Sequence, residues 1–131
     1  MCMAEGADSW PRFYTAHHRK ARKQHECHEC NRRIDIGETY ERASLECEGS
    51  VYSFNTCRQC VAARAWIEAV CGTFLHQGVL EDLKEHIEEG YNPRWLNIAV
   101  SGMQRKWRDK NGKLWRPMSL PKNLSPLPSH A

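Results

Sequence analysis

Two cysteine pairs, Cys27-His28-Glu29-Cys30 and Cys57-Arg58-Gln59-Cys60, constrain this 131-residue chain more than any other feature. Within each pair the two-residue gap lets both sulfurs turn toward one ion. Residues 31–56 leave room for a hairpin that brings the pairs together. Four thiolates at this spacing fit a closed tetrahedral structural site for one Zn2+, with Cys27, Cys30, Cys57 and Cys60 as ligands. A closed site offers no position for water or substrate, so such a metal holds a fold together and carries no reaction.

A staple of this kind suits the composition. Apolar residues make up 40% of the chain and charged residues 27%, which allows one domain with a modest core. Zinc contributes about 10–16 kcal/mol in small finger peptides, comparable to the whole stability of a typical domain. The seven cysteines are an odd number, and Met1-Cys2-Met3-Ala4-Glu5-Gly6-Ala7-Asp8 has neither a basic start nor an apolar run. The expectation is a cytoplasmic protein with metal-bound thiolates, without a secretory leader. No segment approaches the ~20 apolar residues that cross a bilayer, so no membrane partner is expected. Cys2, Cys47 and Cys71 are left over, as inert thiols or with Cys47 and Cys71 in a labile disulfide.

Charge is segregated along the chain. Residues 1–25 carry five Lys/Arg against two acids, residues 26–90 six against thirteen, and residues 91–131 eight against one. An acidic module therefore lies between a basic arm (1–25) and a basic C-terminal region. In the arm, Arg19, Lys20, Arg22 and Lys23 follow His17 and His18. Past the first pair, Asn31 is suited to the positive φ that a metal knuckle requires. Thr39–Leu45 and Val51–Asn55 read as strands around a reversal at Glu48-Gly49-Ser50. The second pair opens a helix that presents Val61, Ala62, Ala65, Trp66, Ala69 and Val70 on one side, Arg64 and Glu68 opposite, and Gly72 as its stop. A second helix spans about Val79 to Glu89, with Glu81, Asp82, Glu85, Glu88 and Glu89 on a solvated acidic face.

Leu96–Val100 alternates like a strand but is too short to exclude helix. Residues 91–116 form a basic segment in which Arg105-Lys106-Trp107-Arg108 and Lys113-Leu114-Trp115-Arg116 flank a hairpin turn. If Gly112 occupies a bulge after a type I turn, Asp109 faces Lys113 and Trp107 faces Trp115. An Asn-Gly two-residue turn separates the tryptophans. Residues 117–131 contain four prolines and are expected to be a disordered tail. The fold class is thus α+β: a zinc-stapled domain over residues 26–90 with a second helix, then a C-terminal β-hairpin.

The order of knuckle pair, hairpin, and helix carrying the second pair resembles the treble-clef zinc finger over about residues 25–72. That resemblance implies Cys27, Cys30, Cys57 and Cys60 as ligands and no further site residue. The longer string of Lys20-Ala21-Arg22-Lys23, His25, Cys27–Cys30, Ile36-Gly37-Glu38-Thr39-Tyr40, Cys57–Cys60 and Glu81-Asp82-Leu83 is similar to small zinc-binding proteins of bacteriophages and prophages. Nuclease versions of the treble clef place a general-base histidine on the hairpin, and here no histidine lies between His28 and His76.

Function follows less directly from these residues. There is no glycine-rich phosphate loop, G-x-S-x-G or H-E-x-x-H, and Cys71 with His76 makes a poor nucleophile pair, so a divergent enzyme is the least favoured reading. The leading expectation is a protein-binding adaptor or inhibitor. Its acidic face (Glu81, Asp82, Glu85, Glu88, Glu89) would meet a host or defence complex if the chain is phage-encoded. The alternative is a DNA- or RNA-binding module. In it Arg19, Lys20, Arg22, Lys23, Arg105, Lys106, Arg108 and Arg116 contact phosphates, and Trp107 and Trp115 stack on unpaired bases. Against that stacking role stands a cross-strand tryptophan pair packed on the core.

Overall fold

Strand and helix order follow from where the chain can reverse. In a computed structural model that describes residues 13–124, the central hairpin pairs β4 (Thr39–Cys47) with β5 (Ser50–Cys57). Glu48 (φ 54°) and Gly49 (φ 82°) both take positive φ at its tip, which matches the right-handed twist of the strands that they join. The register runs from Cys47 opposite Ser50 to Tyr40 opposite Cys57, and it delivers Cys57 to the open end of the hairpin.

The basic arm is more ordered than its sequence implies. Residues Phe13–Lys20 form β1, an eight-residue strand antiparallel to β4 from Phe13↔Glu46 to Lys20↔Thr39. The sheet order is β1-β4-β5. Local sequence shows little of this because β1 is exposed along its whole length; the free edge of β4 selects it. A second ribbon, β2 (His25–Glu26) with β3 (Arg33–Ile34), encloses the first cysteine pair.

Helix α1 (Arg58–Cys71) begins at Cys57, whose side chain accepts a hydrogen bond from the Cys60 N–H, and ends at Gly72 in the left-handed conformation (φ 82°). Its buried side differs from the one expected. Ala63, Arg64, Trp66 and Ile67 face inward with Gln59 and Cys60, while Ala69 is exposed. Arg64 is buried because Glu41, buried in β4, accepts from both Nη1 (2.9 Å) and Nη2 (2.6 Å). Glu68 accepts from Nε at 3.2 Å, and the Phe74 ring lies 4.1 Å from the guanidinium carbon. A buried bidentate partner outweighs the small apolar gain from turning Val61 and Ala65 inward.

Helix α2 (Val79–Glu88) buries Val79 and Leu83, and α3 (Pro93–Gln104) buries Leu96, Ala99, Val100 and Met103. The alternation at 96–100 therefore resolves as helix, started by Pro93 in the first turn. Trp66 donates its indole N–H to Asn92 Oδ1 at 2.8 Å, tying α1 to the start of α3. One core cluster takes in the four paired cysteines, all three helices and Trp107. No helix among the described residues is long and apolar enough to cross a membrane.

Past α3, the expected hairpin shrinks to a turn with one isolated bridge, Arg108↔Leu114. The bulged register holds: Asp109 N–H donates to Lys113 O, Gly112 has φ 80°, and Trp115 N–H donates to Trp107 O. The two indoles meet edge to face at 5.5 Å. Extension into a ladder fails because Lys106 (φ 55°) and Trp107 (φ 59°) are left-handed, which folds the Trp107 ring onto Gly102. A Cβ at Gly102 would lie 2.2 Å from that ring. The expected disorder of the tail does not extend to residues 117–124. There Ser119 O accepts from the Trp95 indole, Asn123 O accepts from Asn92, and Met118 and Leu124 pack on the core. Residues 125–131, like 1–12, lie outside the described residues.

His76 lies under this sheet, buried between a parallel Phe54 ring at 4.5 Å and the edge of Phe74 at 4.9 Å. Tyr14 Oη is 2.9 Å from its Nε2, and its Nδ1 has no hydrogen-bond partner among the described residues. Burial, aided by Arg64, lowers its pKa from 6.5 to about 4. As pH falls through that window the unfolded chain takes up a proton before the folded one. The contribution present at neutral pH is therefore lost on acidification, by about 3 kcal/mol.

Two outcomes are expected from this packing. Arg64→Ala strands Glu41 in the interior and should cost about 3–5 kcal/mol in denaturant unfolding, whereas Arg64→Met with Glu41→Leu should recover most of it. His76→Phe should shrink the loss of stability between about pH 7 and about pH 4.5. An acid sensitivity equal to that of the unsubstituted protein would exclude His76 as its source.

Candidate metal centre and the groove beside it

The hairpin and the helix start bring the two cysteine pairs together as their spacing predicts. The Sγ atoms of Cys27, Cys30, Cys57 and Cys60 all lie within 4.8 Å of one another, and all four residues are buried. A tetrahedron of sulfurs about 2.3 Å from a central ion has edges of about 3.8 Å, and the Cys30–Cys57 separation is 3.9 Å. Asn31 takes φ 65° and donates its N–H to Cys27 O, closing the knuckle turn.

Three of the four sulfurs accept N–H groups. Glu29 N–H and Cys57 N–H both donate to Cys27 Sγ at 3.4 Å, and Cys60 N–H donates to Cys57 Sγ at 3.4 Å. The Trp107 indole N–H donates to Cys60 Sγ at 3.2 Å. Hydrogen bonds from the other three cysteines hold Cys27 well below the usual thiol range. Cys30 is pushed up by its hydrogen bond to Cys27, and Cys60 is pushed up by burial. Sulfurs this close sustain several negative charges together only around a cation, and an all-sulfur, tetrahedral, buried donor set fits a metal ion.

Side chains next to the ligands brace the centre. Arg32 is buried and donates to both Glu38 carboxylate oxygens (3.1 and 2.7 Å), to Arg33 O and to Gln59 Oε1. Burial alone would push the Arg32 guanidinium down, but Glu38 and the Cys57 sulfur hold it up. Gln59 then donates to Trp115 O at 2.8 Å, linking the second pair to the C-terminal turn. Glu29, inside the first pair, accepts from Gln77 N–H (2.7 Å) and Val79 N–H (3.4 Å) and so caps α2 from across the fold. Burial raises its pKa to about 7, against the lowering effect of those two donors. Of the arginines beside the cysteines, Arg32 is the inward one; Arg33 and Arg58 are exposed.

The neighbouring histidines have other partners. His28 Nδ1 accepts from Asn55 N–H at 2.7 Å, and His25 Nε2 lies 3.3 Å from Tyr40 Oη. Glu29, Gln59 and Arg32 were traceable only as neighbours of ligands. Trp107 had no local signal, because its contact with Cys60 crosses 47 residues.

Residues from both basic segments meet next to this centre. Arg19, Lys20, Arg22 and Lys23 line a surface cavity of about 690 Å³ with His25 and Tyr40. Lys106 and Arg108, with Arg33 and again His25, line an adjoining one of about 590 Å³. The two share His25 and form one basic groove. Arg105 and Arg116 are exposed but do not line it. Trp107 is fully buried, so it has no face for a base; Trp115 is half-buried against it. On α2 and its C-cap, Glu81, Glu85, Glu88 and Glu89 are exposed, whereas Asp82 lies 3.2 Å from His86. The Cys47–Cys71 disulfide does not form: Cys71 is a free, exposed thiol. Its neighbour is His86 and not His76.

Elemental analysis is expected to give one zinc per chain. Chelation, or Cys30→Ser or Cys57→Ser, should unfold the knuckle and α1 with a loss on the order of the 10–16 kcal/mol seen in finger peptides. Unchanged circular dichroism after the metal is fully stripped would contradict this. Comparison of the chain with protein-family models, with curated proteins and with solved structures yields no match.

Proposed function

We propose that this protein is a zinc-stapled, non-enzymatic module of treble-clef type that grips the phosphate backbone of a nucleic acid. The order of knuckle, hairpin and helix bearing the second cysteine pair supports the treble-clef reading. The observation that carries the function is the basic groove. Cations from the end of β1 and from the turn after α3, remote in sequence, converge around His25. Such convergence favours a polyanion, whose counterions are released on binding. Base stacking by Trp107 drops out, leaving phosphate contacts without sequence readout as the main source of affinity.

Fluorescence anisotropy with labelled single-stranded DNA, duplex DNA and RNA tests this. Binding at micromolar protein and about 50 mM salt should weaken at least tenfold by about 200 mM salt. Lys20→Glu and Lys106→Glu should each weaken it further and lower the salt slope by about one. Absence of binding to any of the three at low salt would refute the reading.

A protein-binding adaptor or inhibitor, plausible for a phage-encoded factor acting on host or defence machinery, is the second reading. It rests on the exposed carboxylates Glu81, Glu85, Glu88 and Glu89 along α2 and at its C-cap. Glu85→Lys with Glu88→Lys separates the two in the same titration, since these residues lie outside the groove lining.

A further inference from the structure

A second cluster of reactive groups lies where the end of α1 meets α2. Cys71 is the last residue of α1, and its thiol is exposed. Its Sγ is 3.3 Å from His86 Nε2. The other ring nitrogen, Nδ1, lies 2.8 Å from the Asp82 carbonyl oxygen and 3.2 Å from Asp82 Oδ1. Two acceptors at Nδ1 require the proton there, which leaves Nε2 as an acceptor for the thiol. Edge contacts from Trp66 at 5.0 Å and Tyr91 at 5.3 Å fix the ring in this orientation. The thiol borders a surface cavity of about 590 Å³ with Phe74 and Leu75 on its apolar wall. The charged groups of the lining, Glu81, Asp82 and Glu85, are all acidic and all from α2.

We propose that Cys71 is a thiol–disulfide exchange site for small cationic disulfides, with His86 as its general base and Asp82 as the residue that positions His86. Nucleophile, base and orienting group stand in hydrogen-bonded sequence, the arrangement that activates a neutral nucleophile. As the Cys71 sulfur attacks one sulfur of a disulfide R–S–S–R, Nε2 takes the thiol proton and a new S–S bond forms. The old S–S bond breaks, its electron pair leaves on RS⁻, and the imidazolium returns the proton to give RSH. Cys71 is oxidised to a mixed disulfide, and half of the reagent is reduced to thiol. Burial and the carboxylates of Asp82 and Glu89 push the Cys71 thiol up, so spontaneous thiolate is scarce and the built-in base controls the rate. The thiolate, once formed, is correspondingly the stronger nucleophile. The acidic border attracts a cationic reagent and repels an anionic one.

The test uses the full-length, metal-loaded protein with cystamine as the cationic disulfide and oxidised glutathione as the anionic one. Modification of Cys71 is followed by peptide mass mapping, and each rate is divided by that of N-acetylcysteinamide. Cystamine should be favoured at least tenfold at low salt, and His86→Asn should slow it at least tenfold. Equal normalised rates for the two reagents, or an unchanged rate in a folded His86→Asn protein, would overturn the proposal. Should His86→Asn not fold, Glu81→Gln with Glu85→Gln alters only exposed positions. That pair should erase most of the preference for cystamine, and a preference left intact would equally overturn the proposal.

Discussion

Everything else in the fold hangs on the meeting of four cysteine sulfurs between the knuckle and the first turn of α1. Cys57 ends β5, caps α1 and contributes a sulfur to the cluster, so one residue joins hairpin, helix and metal centre. The N–H groups aimed at Cys27, Cys57 and Cys60 suit thiolate acceptors, and a metal ion held there would let such charges share one buried volume. From this centre support runs outward: Arg32 and Gln59 to the C-terminal turn, Trp107 to α3 through Gly102, and Glu29 to the start of α2. A small chain thereby gains a second layer of order that its apolar content alone would not supply.

Buried charge is the second organising element. Arg64 and Glu41 pair inside the α1–sheet contact, and Arg32 and Glu38 pair beside the metal ligands. Their geometry is bidentate in both cases, which is what offsets the cost of removing such groups from water. These pairs set the rotation of α1 and the seating of the knuckle. An apolar interface of the same size would define either less tightly.

The surface divides accordingly. The groove draws its cations from two segments that the metal-centred core holds side by side, while α2 presents carboxylates on its outer face and a thiol–imidazole pair where it meets α1. The strongest local chemistry, the four-cysteine cluster able to hold a metal ion, is buried. The surfaces able to bind a partner or a reagent are those that it positions.

Much of this was written plainly in the chain. The ligand set, the positive φ of Asn31, the β4–β5 hairpin and the stop at Gly72 depend on neighbours a few residues apart, and short-range sterics suffice to read them; at Gly112 the sequence left two registers open, and the structure takes the bulged one. The inward face of α1 was misread because the partner of Arg64 lies in a different element. The arm became a strand because β4 had a free edge, and residues 117–124 are ordered because α3 offered them indole and amide donors. Trp107 passed from candidate base-stacker to buried support through a contact with Cys60. The groove, too, exists only because distant cations were brought to one place. Sequence by itself determined where the chain turns and which atoms would bind metal, since local geometry and donor chemistry decide both. Tertiary structure alone decided which charges are buried and which surfaces act together, because burial and long-range pairing arise only when separate segments share one volume.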